Sequence, residues 1–247
     1  MNNYQTIEKL KTLYLKGMVD THQQHLHDNL YSDYTLDQYL SLLADQETDL
    51  RQRNKVKRLL RQGNFESLAA VQDIDFHTQR QLDKNQFENL VELNFIRSKE
   101  NIILTGPTGM GKSYLAQVIG VQACKNSYKV RYAQTAKLLN RLKLSKLDAS
   151  YLKELKKLET LDLLILDDFG LQALDTVMRE ALLNIVQDRH QKKSTIIVSQ
   201  IPVKKWYDLI GEATIADAIL DRLVHSSHRI DLNGESYRKK ISTINKY

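Results

Sequence analysis

Cysteine occurs once in these 247 residues, at Cys124, tryptophan once, at Trp206, and proline only at Pro107 and Pro202. A single thiol allows neither an intrachain disulfide nor a cysteine zinc site, and its default place is a small buried position in the core. Two prolines exclude a proline-rich linker, and the chain shows no internal repeat and no low-complexity tract. No apolar run approaches the roughly 20 residues that span a bilayer. The start, Met1-Asn2-Asn3-Tyr4-Gln5, has neither a basic nor an apolar leader region. A soluble, cytoplasmic protein without membrane contact is therefore expected.

Acidic residues are scarce in two places. The chain carries a net charge of +6, and between Lys125 and Lys157 ten basic residues face only Asp148 and Glu154. A second basic cluster, Arg51, Arg53, Lys55, Lys57, Arg58 and Arg61, contains no acidic residue. Solvated helix faces and phosphate-binding surfaces both look like this in sequence.

The length allows one full α/β core and a smaller appendage. Residues 5 to about 62 read as helices, with Ile7, Leu10, Leu13, Tyr14 and Leu15 on one stretch and Leu36, Tyr39, Leu40, Leu42 and Leu43 on the next. Gly17 and the polar run Asp20 to Asn29 are expected to separate the first two helices, and Gly63-Asn64 to stop the basic one. The expected division is a helical N-terminal domain at 1–65 and a second domain at 66–247. In the latter, apolar strands at 102–105, 129–133, 161–166, 195–200 and 229–232 alternate with helices, which predicts a parallel sheet flanked by helices.

Gly106-Pro107-Thr108-Gly109-Met110-Gly111-Lys112-Ser113 follows the first of these strands and opens a helix, fitting GxxxxGKS in the setting that phosphate cradling requires. The three glycines let successive N–H groups converge on phosphate oxygens, and the helix start adds partial positive charge. Lys112 is expected to reach the β- and γ-phosphates and the Ser113 hydroxyl to hold Mg²⁺. About 55 residues later, Leu161 to Asp168 reads as a buried strand ending in two carboxylates, the Walker B position. Asp167 is expected to anchor Mg²⁺ and Asp168 to orient and polarise the attacking water.

Three further elements bear on that chemistry. Strand 195–198 delivers Ser199 and Gln200 to where a γ-phosphate would lie. Arg222 has the chemistry of an arginine finger, and Arg238 is a second candidate phosphate contact. His22, His25 and His27 do not share one helix face and have no completing carboxylate or cysteine, so no metal site is expected there. Trp206 reads as a core anchor.

GPTGMGKS at 106–113, LLILDDFG at 163–170, IIVSQ at 196–200, AILDRLVHSSHRI at 218–230 and GESYRKK at 234–240 together resemble the AAA+ ATPases of the IstB and DnaC group. The segment Leu10 to Met18 and the helices that follow are similar to the insertion-sequence helper branch of that group. The resemblance implies ATP held at Lys112 and Ser113, Mg²⁺ at Asp167, water activation at Asp168, a phosphate sensor at Gln200 or Ser199, a finger at Arg222 and a second sensor at Arg238. It also implies that the basic 134–157 region faces double-stranded DNA, in a homo-oligomer that works with a transposase. Two departures stand out: Asp168 is a methylene shorter than the glutamate common at that place, and the residues after Arg238 are too few for a separate helical lid. A replicative helicase loader of the DnaC type shares the core and is the alternative. A small-molecule kinase would need an acceptor pocket and a lid, for which no segment from 113 onward is suited.

Overall fold

The structure, a computed structural model, describes residues 3–28, 30–76 and 81–234. It divides into two compact units, 1–58 and 59–247, the division falling inside the third helix.

The first unit holds α1 (Asn3–Thr12), α2 (Lys16–His27) and most of α3 (Leu36–Gly63). The break between α1 and α2 lies at Leu13–Leu15, where Tyr14 is left-handed (φ 57°). The expected separator, Gly17 with the polar run from Asp20, is instead part of α2. Gly17 is there for proximity: a Cβ on it would lie 2.7 Å from the Gln46 oxygen and from the Glu47 Cα on α3. Its N–H donates to Glu47 Oε2 at 2.7 Å, and Glu47 Oε1 accepts from Arg51 Nε at 2.6 Å. Arg51 is therefore committed to an ion pair, whereas Arg53, Lys55, Lys57, Arg58 and Arg61 stay exposed. His22 Nδ1 bonds to the Tyr39 hydroxyl and His27 to Asp28, and among the described residues no cluster of His, Cys, Asp and Glu could hold a metal ion.

The second unit continues with α4 (Lys84–Val91), α5 (Asn94–Ser98), β1 (Asn101–Thr105), α6 (Lys112–Lys125), β2 (Val130–Gln134), α7 (Thr135–Ser145), α8 (Tyr151–Glu159), β3 (Leu163–Phe169), α9 (Thr176–Arg189), β4 (Ser194–Ser199), α10 (Trp206–Ile210), α11 (Ala213–Val224) and β5 (Ser227–Asp231). The five strands are all parallel in the order β2-β3-β4-β1-β5. Every residue of β1 and β4 is buried, as continuous apolar runs predict for strands covered on both faces.

Alternation along each strand sorts the core into two layers. Ile102 and Leu104 of β1 pack with α4, α5 and α6, while Ile103 packs with α7 to α11 on the opposite face. Cys124 is fully buried in the first layer, where desolvation pushes its thiol up to about 12. Trp206 is fully buried in the second, its ring 4.6 Å from that of Phe169 and its Nε1 donating to the Ile201 oxygen at 2.8 Å. Arg189, 2% exposed, closes the end of α9 by donating to the oxygens of Leu158, Leu161, Ser194 and the Thr195 hydroxyl. Satisfying four acceptors is what allows a guanidinium to be buried there.

The strap before the sheet is tied to α6. The Phe65 ring lies against Gly120, where a Cβ would approach it to 2.7 Å, and Gln117 Oε1 accepts from the N–H groups of Glu66 and Ser67 at 2.8 and 3.0 Å.

Gly17→Ala forces a methyl against backbone that cannot rotate away, so the α2–α3 pair has to separate. We expect a loss of about 1–3 kcal/mol in the first unit, read by urea denaturation followed by circular dichroism. An unchanged midpoint would show that the helices tolerate the methyl.

Candidate active site

Strand β1 ends at Thr105 and the chain turns out through Gly106 at φ 139°, with Gly109 and Gly111 both at φ 83°. Side-chain-free backbone is required at the first of these, because a Cβ on Gly106 would collide with the Leu232 carbonyl. At the other end of the loop, α6 begins without a side-chain cap. By contrast α4, α9 and α11 have their first N–H groups capped by Asp83, Asp175 and Glu212. Helices α7, α8 and α10 lack such a cap too, so what marks α6 is its place at the end of the glycine loop, where the partial positive charge of a helix start favours an anion. Lys112 is 6% exposed and its Nζ donates to the Pro107 oxygen at 2.8 Å, folding the side chain over the loop.

Facing this loop is a cavity of about 700 Å³. Thr108, Gly109, Gly111, Lys112 and Ser113 line one wall, and Asp167, Asp168 and Gln200 another. Pro107 and Met110 belong to the loop but do not line the cavity; Met110 is buried in the core at 1% exposure.

The two carboxylates do not quite end the strand as the reading of 161–168 expects. They lie within β3, which runs on to Phe169. The register with β4 passes from Leu166↔Ile197 to Phe169↔Ser199, so β3 carries one extra residue at this point. Asp168 takes up the bulge in the left-handed region at φ 54°, a conformation aspartate tolerates better than most residues. The consequence is that both acids turn toward the cavity. Asp167 is 1% exposed; its Oδ1 accepts the Asp168 N–H at 2.7 Å and its Oδ2 the Tyr132 hydroxyl at 2.6 Å. The Thr135 hydroxyl donates to the Asp167 backbone oxygen at 2.7 Å. Asp168 titrates above the usual carboxylate range, chiefly because burial desolvates it and next because Asp167 and Glu66 are close, with Lys112 and a hydrogen bond from Gln200 opposing.

Ser199 and Gln200, both candidates for sensing phosphate, have different surroundings. Ser199 is fully buried, its hydroxyl donating to the Phe169 oxygen at 2.7 Å and accepting from the Ile201 N–H at 3.0 Å. Gln200 lines the cavity and accepts from the Thr108 hydroxyl. Arg222 is not brought to this cavity; it lies on α11 with Nη1 on the Ala218 oxygen of its own helix at 2.8 Å. Arg238 lies outside the described residues.

Several lining residues escape a motif-based reading. Glu66 enters from the strap before the sheet, held by Gln134 Nε2 at 3.1 Å, and Asp73, Ile74, Asp75 and Tyr114 close the far side. Tyr132 gave one signal in sequence, an aromatic hydroxyl at an inward position of a strand; Glu66 gave none, since only the fold brings it here.

The basic segment is less free than its composition suggests. Arg141 and Lys157 pair with Glu154, Lys143 with Asp175 and Lys146 with Glu180. Lys137, Lys153 and Lys156 remain exposed on α7 and α8.

A parallel sheet in this order, a glycine loop running into an uncapped helix and an acidic bulge opposite it define an AAA+ P-loop NTPase. The chain belongs to the family of IstB-like ATP binding proteins, whose model matches residues 8–244. An insertion-sequence ATP-binding protein of Sinorhizobium fredii is 38% identical over 95% of this chain and 96% of its own. In fold the chain is similar to the DnaC helicase loader, with a TM-score of 0.52 at 18% identity over 64% of this chain and 95% of that one. A replication initiator DnaA bound to AMPPCP and single-stranded DNA gives a TM-score of 0.60 at 16% identity, over 74% of this chain and 57% of that one. ATP is accordingly the ligand that the family's name supports. No helix among the described residues is long and apolar enough to cross a membrane.

Because the fold holds Asp168 above its unfolded pKa, its ionised form costs stability at neutral pH, and the cost is relieved as pH falls through that raised value. Asp168→Asn removes the charge. In metal-free protein it should melt higher than wild type at pH 8, with the difference shrinking toward pH 4. A variant that melts lower throughout would contradict the electrostatic account.

Proposed function

We propose that this chain is an Mg²⁺-dependent, DNA-binding ATPase that assembles into an oligomer and assists a transposase in choosing and holding target DNA, with hydrolysis resetting the assembly. The observation that carries the enzymatic part is the bulge in β3, which presents Asp167 and Asp168 across the cavity from Lys112 and Ser113. The donor set, a hydroxyl and a buried carboxylate, suits a hard cation that keeps waters and shares phosphate oxygens. Ser113 Oγ and Asp167 would hold it, and when bound it neutralises phosphate charge.

The loop N–H groups and the α6 N-terminus bind the phosphates, and Lys112 exchanges the Pro107 oxygen for them. Asp168 accepts a proton of the water whose oxygen bonds to the γ-phosphorus as the bond to the β,γ-bridging oxygen breaks and ADP leaves, and Gln200 stands ready to register the phosphate from the β4 side. The short Asp168 side chain reaches less far than a glutamate, which fits slow turnover and a timed switch. Arg222, remote from its own chain's cavity, would act on the cavity of the next subunit, and Arg238 would serve as a second sensor. A finger of this kind contributes on the order of 10³–10⁵ in rate.

DNA contact is supported by the exposed cations of α3, α7 and α8, directed at phosphates and tolerant of sequence. Partner and assembly contacts are assigned to the N-terminal domain, residues 1–65, with the ATPase domain at 66–247; the first unit leaves Tyr14, Leu36 and Leu40 exposed. Helicase loading is the alternative. The 38% identity to an insertion-sequence protein favours transposition over it, because the DnaC likeness is one of fold alone.

Duplex DNA should raise ATP turnover, and the rise should vanish above a few hundred millimolar salt. Turnover indifferent to DNA at every salt concentration would remove the DNA-driven reading. Arg222→Ala should bind a fluorescent ATP analogue normally yet hydrolyse ATP poorly, and mixing it with Lys112→Ala subunits should restore activity. No recovery in confirmed mixed assemblies would place the arginine in cis.

A further inference from the structure

Tyr132 belongs to neither nucleotide motif, yet it makes the one side-chain contact described for the Asp167 carboxylate from another strand. In the β2–β3 ladder Gln134 pairs with Asp167, so Tyr132 stands two residues back, on the same face of β2 as Gln134. A side chain of tyrosine length spans that diagonal, whereas serine or threonine would fall short. Tyr132 is 3% exposed, and its hydroxyl reaches Asp167 Oδ2 at 2.6 Å, the length of a charge-assisted O–H···O⁻ bond.

The other contact to the carboxylate, the Asp168 N–H on Oδ1, comes from the same bulge and moves with it. Among the described residues, Tyr132 is what ties the carboxylate to a reference outside β3. Each carboxylate oxygen keeps a lone pair after these bonds, so the group is fixed in orientation and still able to meet a cation or its water.

We propose that Tyr132 is the positioning residue of the metal site: its hydroxyl sets the Asp167 carboxylate in the orientation that receives Mg²⁺ with ATP. The inference rests on the Mg·ATP reading of the cavity. It adds to it that the cation's affinity is set from β2, outside both Walker elements. Partners of this outer kind change metal affinity by about 10–100-fold when removed.

Tyr132→Phe deletes one oxygen and keeps the ring, so the core packing is retained, which a thermal melt checks. The probes are Mn²⁺, followed by electron paramagnetic resonance of the free ion in the presence of a non-hydrolysable ATP analogue, and a fluorescent ATP analogue in EDTA. We expect Mn²⁺ to bind 10–100-fold more weakly to the variant, metal-free nucleotide binding to stay within twofold, and turnover to recover toward wild type at high Mg²⁺. Mn²⁺ affinity within twofold of wild type would overturn the positioning role while leaving the ATPase reading intact. Equal losses of metal-free nucleotide and of Mn²⁺ binding would also overturn it, by showing that the hydroxyl supports the whole pocket. A wild-type chain that binds no nucleotide would sink the ATPase reading and this inference together.

Discussion

The contact between Gly106 and the Leu232 carbonyl sets the conditions for the rest of the second unit. Placing β5 beside β1 brings the chain beyond β5 across the exit of β1, and Leu232 N–H locks it there on the Thr105 oxygen at 2.8 Å. The phosphate loop can leave the sheet at that point only if its first residue has no side chain. Given that glycine, the loop rises away from the sheet, α6 starts where the loop ends, and its first turn lines the cavity. A parallel sheet needs long crossovers, and α6 is the one that carries the chain from β1 to β2, past the intervening β4 and β3.

Opposite the loop, the decisive feature is an irregularity. A regular β3 would send Asp167 and Asp168 to opposite faces of the sheet, as alternation requires. The extra residue breaks alternation once, and both carboxylates are offered to the same cavity. The cost appears in two measurable forms: a non-glycine residue at positive φ, and a carboxylate held above its normal titration range by lost solvation and by Asp167 and Glu66. Strain and unfavourable charge are thus concentrated at the residue assigned to activate water, a common place for a fold to tolerate both.

Much of the second unit was legible because its signals are local. Glycine spacing, apolar runs of strand length and paired acids each encode one element, and alternating elements imply a parallel sheet. The strand boundaries near 129–133 and 195–200 are off by a residue, while β3 begins two residues after 161 and runs on past its two carboxylates to Phe169, because a bulge leaves no compositional mark. The N-terminal unit was less legible. A glycine in sequence looks like a helix breaker, but Gly17 serves a close approach to Glu47, which is thirty residues away in the chain. Pairing across space also eluded the sequence: Lys143 and Lys146 are answered by Asp175 and Glu180, so the basic run is partly neutralised from α9 and its approach.

Cys124 sits on the buried face of α6 with no exposed surface, and burial pushes its thiol up to about 12. Thiolate reagents at neutral pH find nothing to attack there. The native chain is therefore already a silent background for site-directed labelling: a cysteine introduced on α3, α7 or α8 would be the single reactive position. Distances between subunits, or between a subunit and DNA, become measurable by one substitution, with no native thiol to remove.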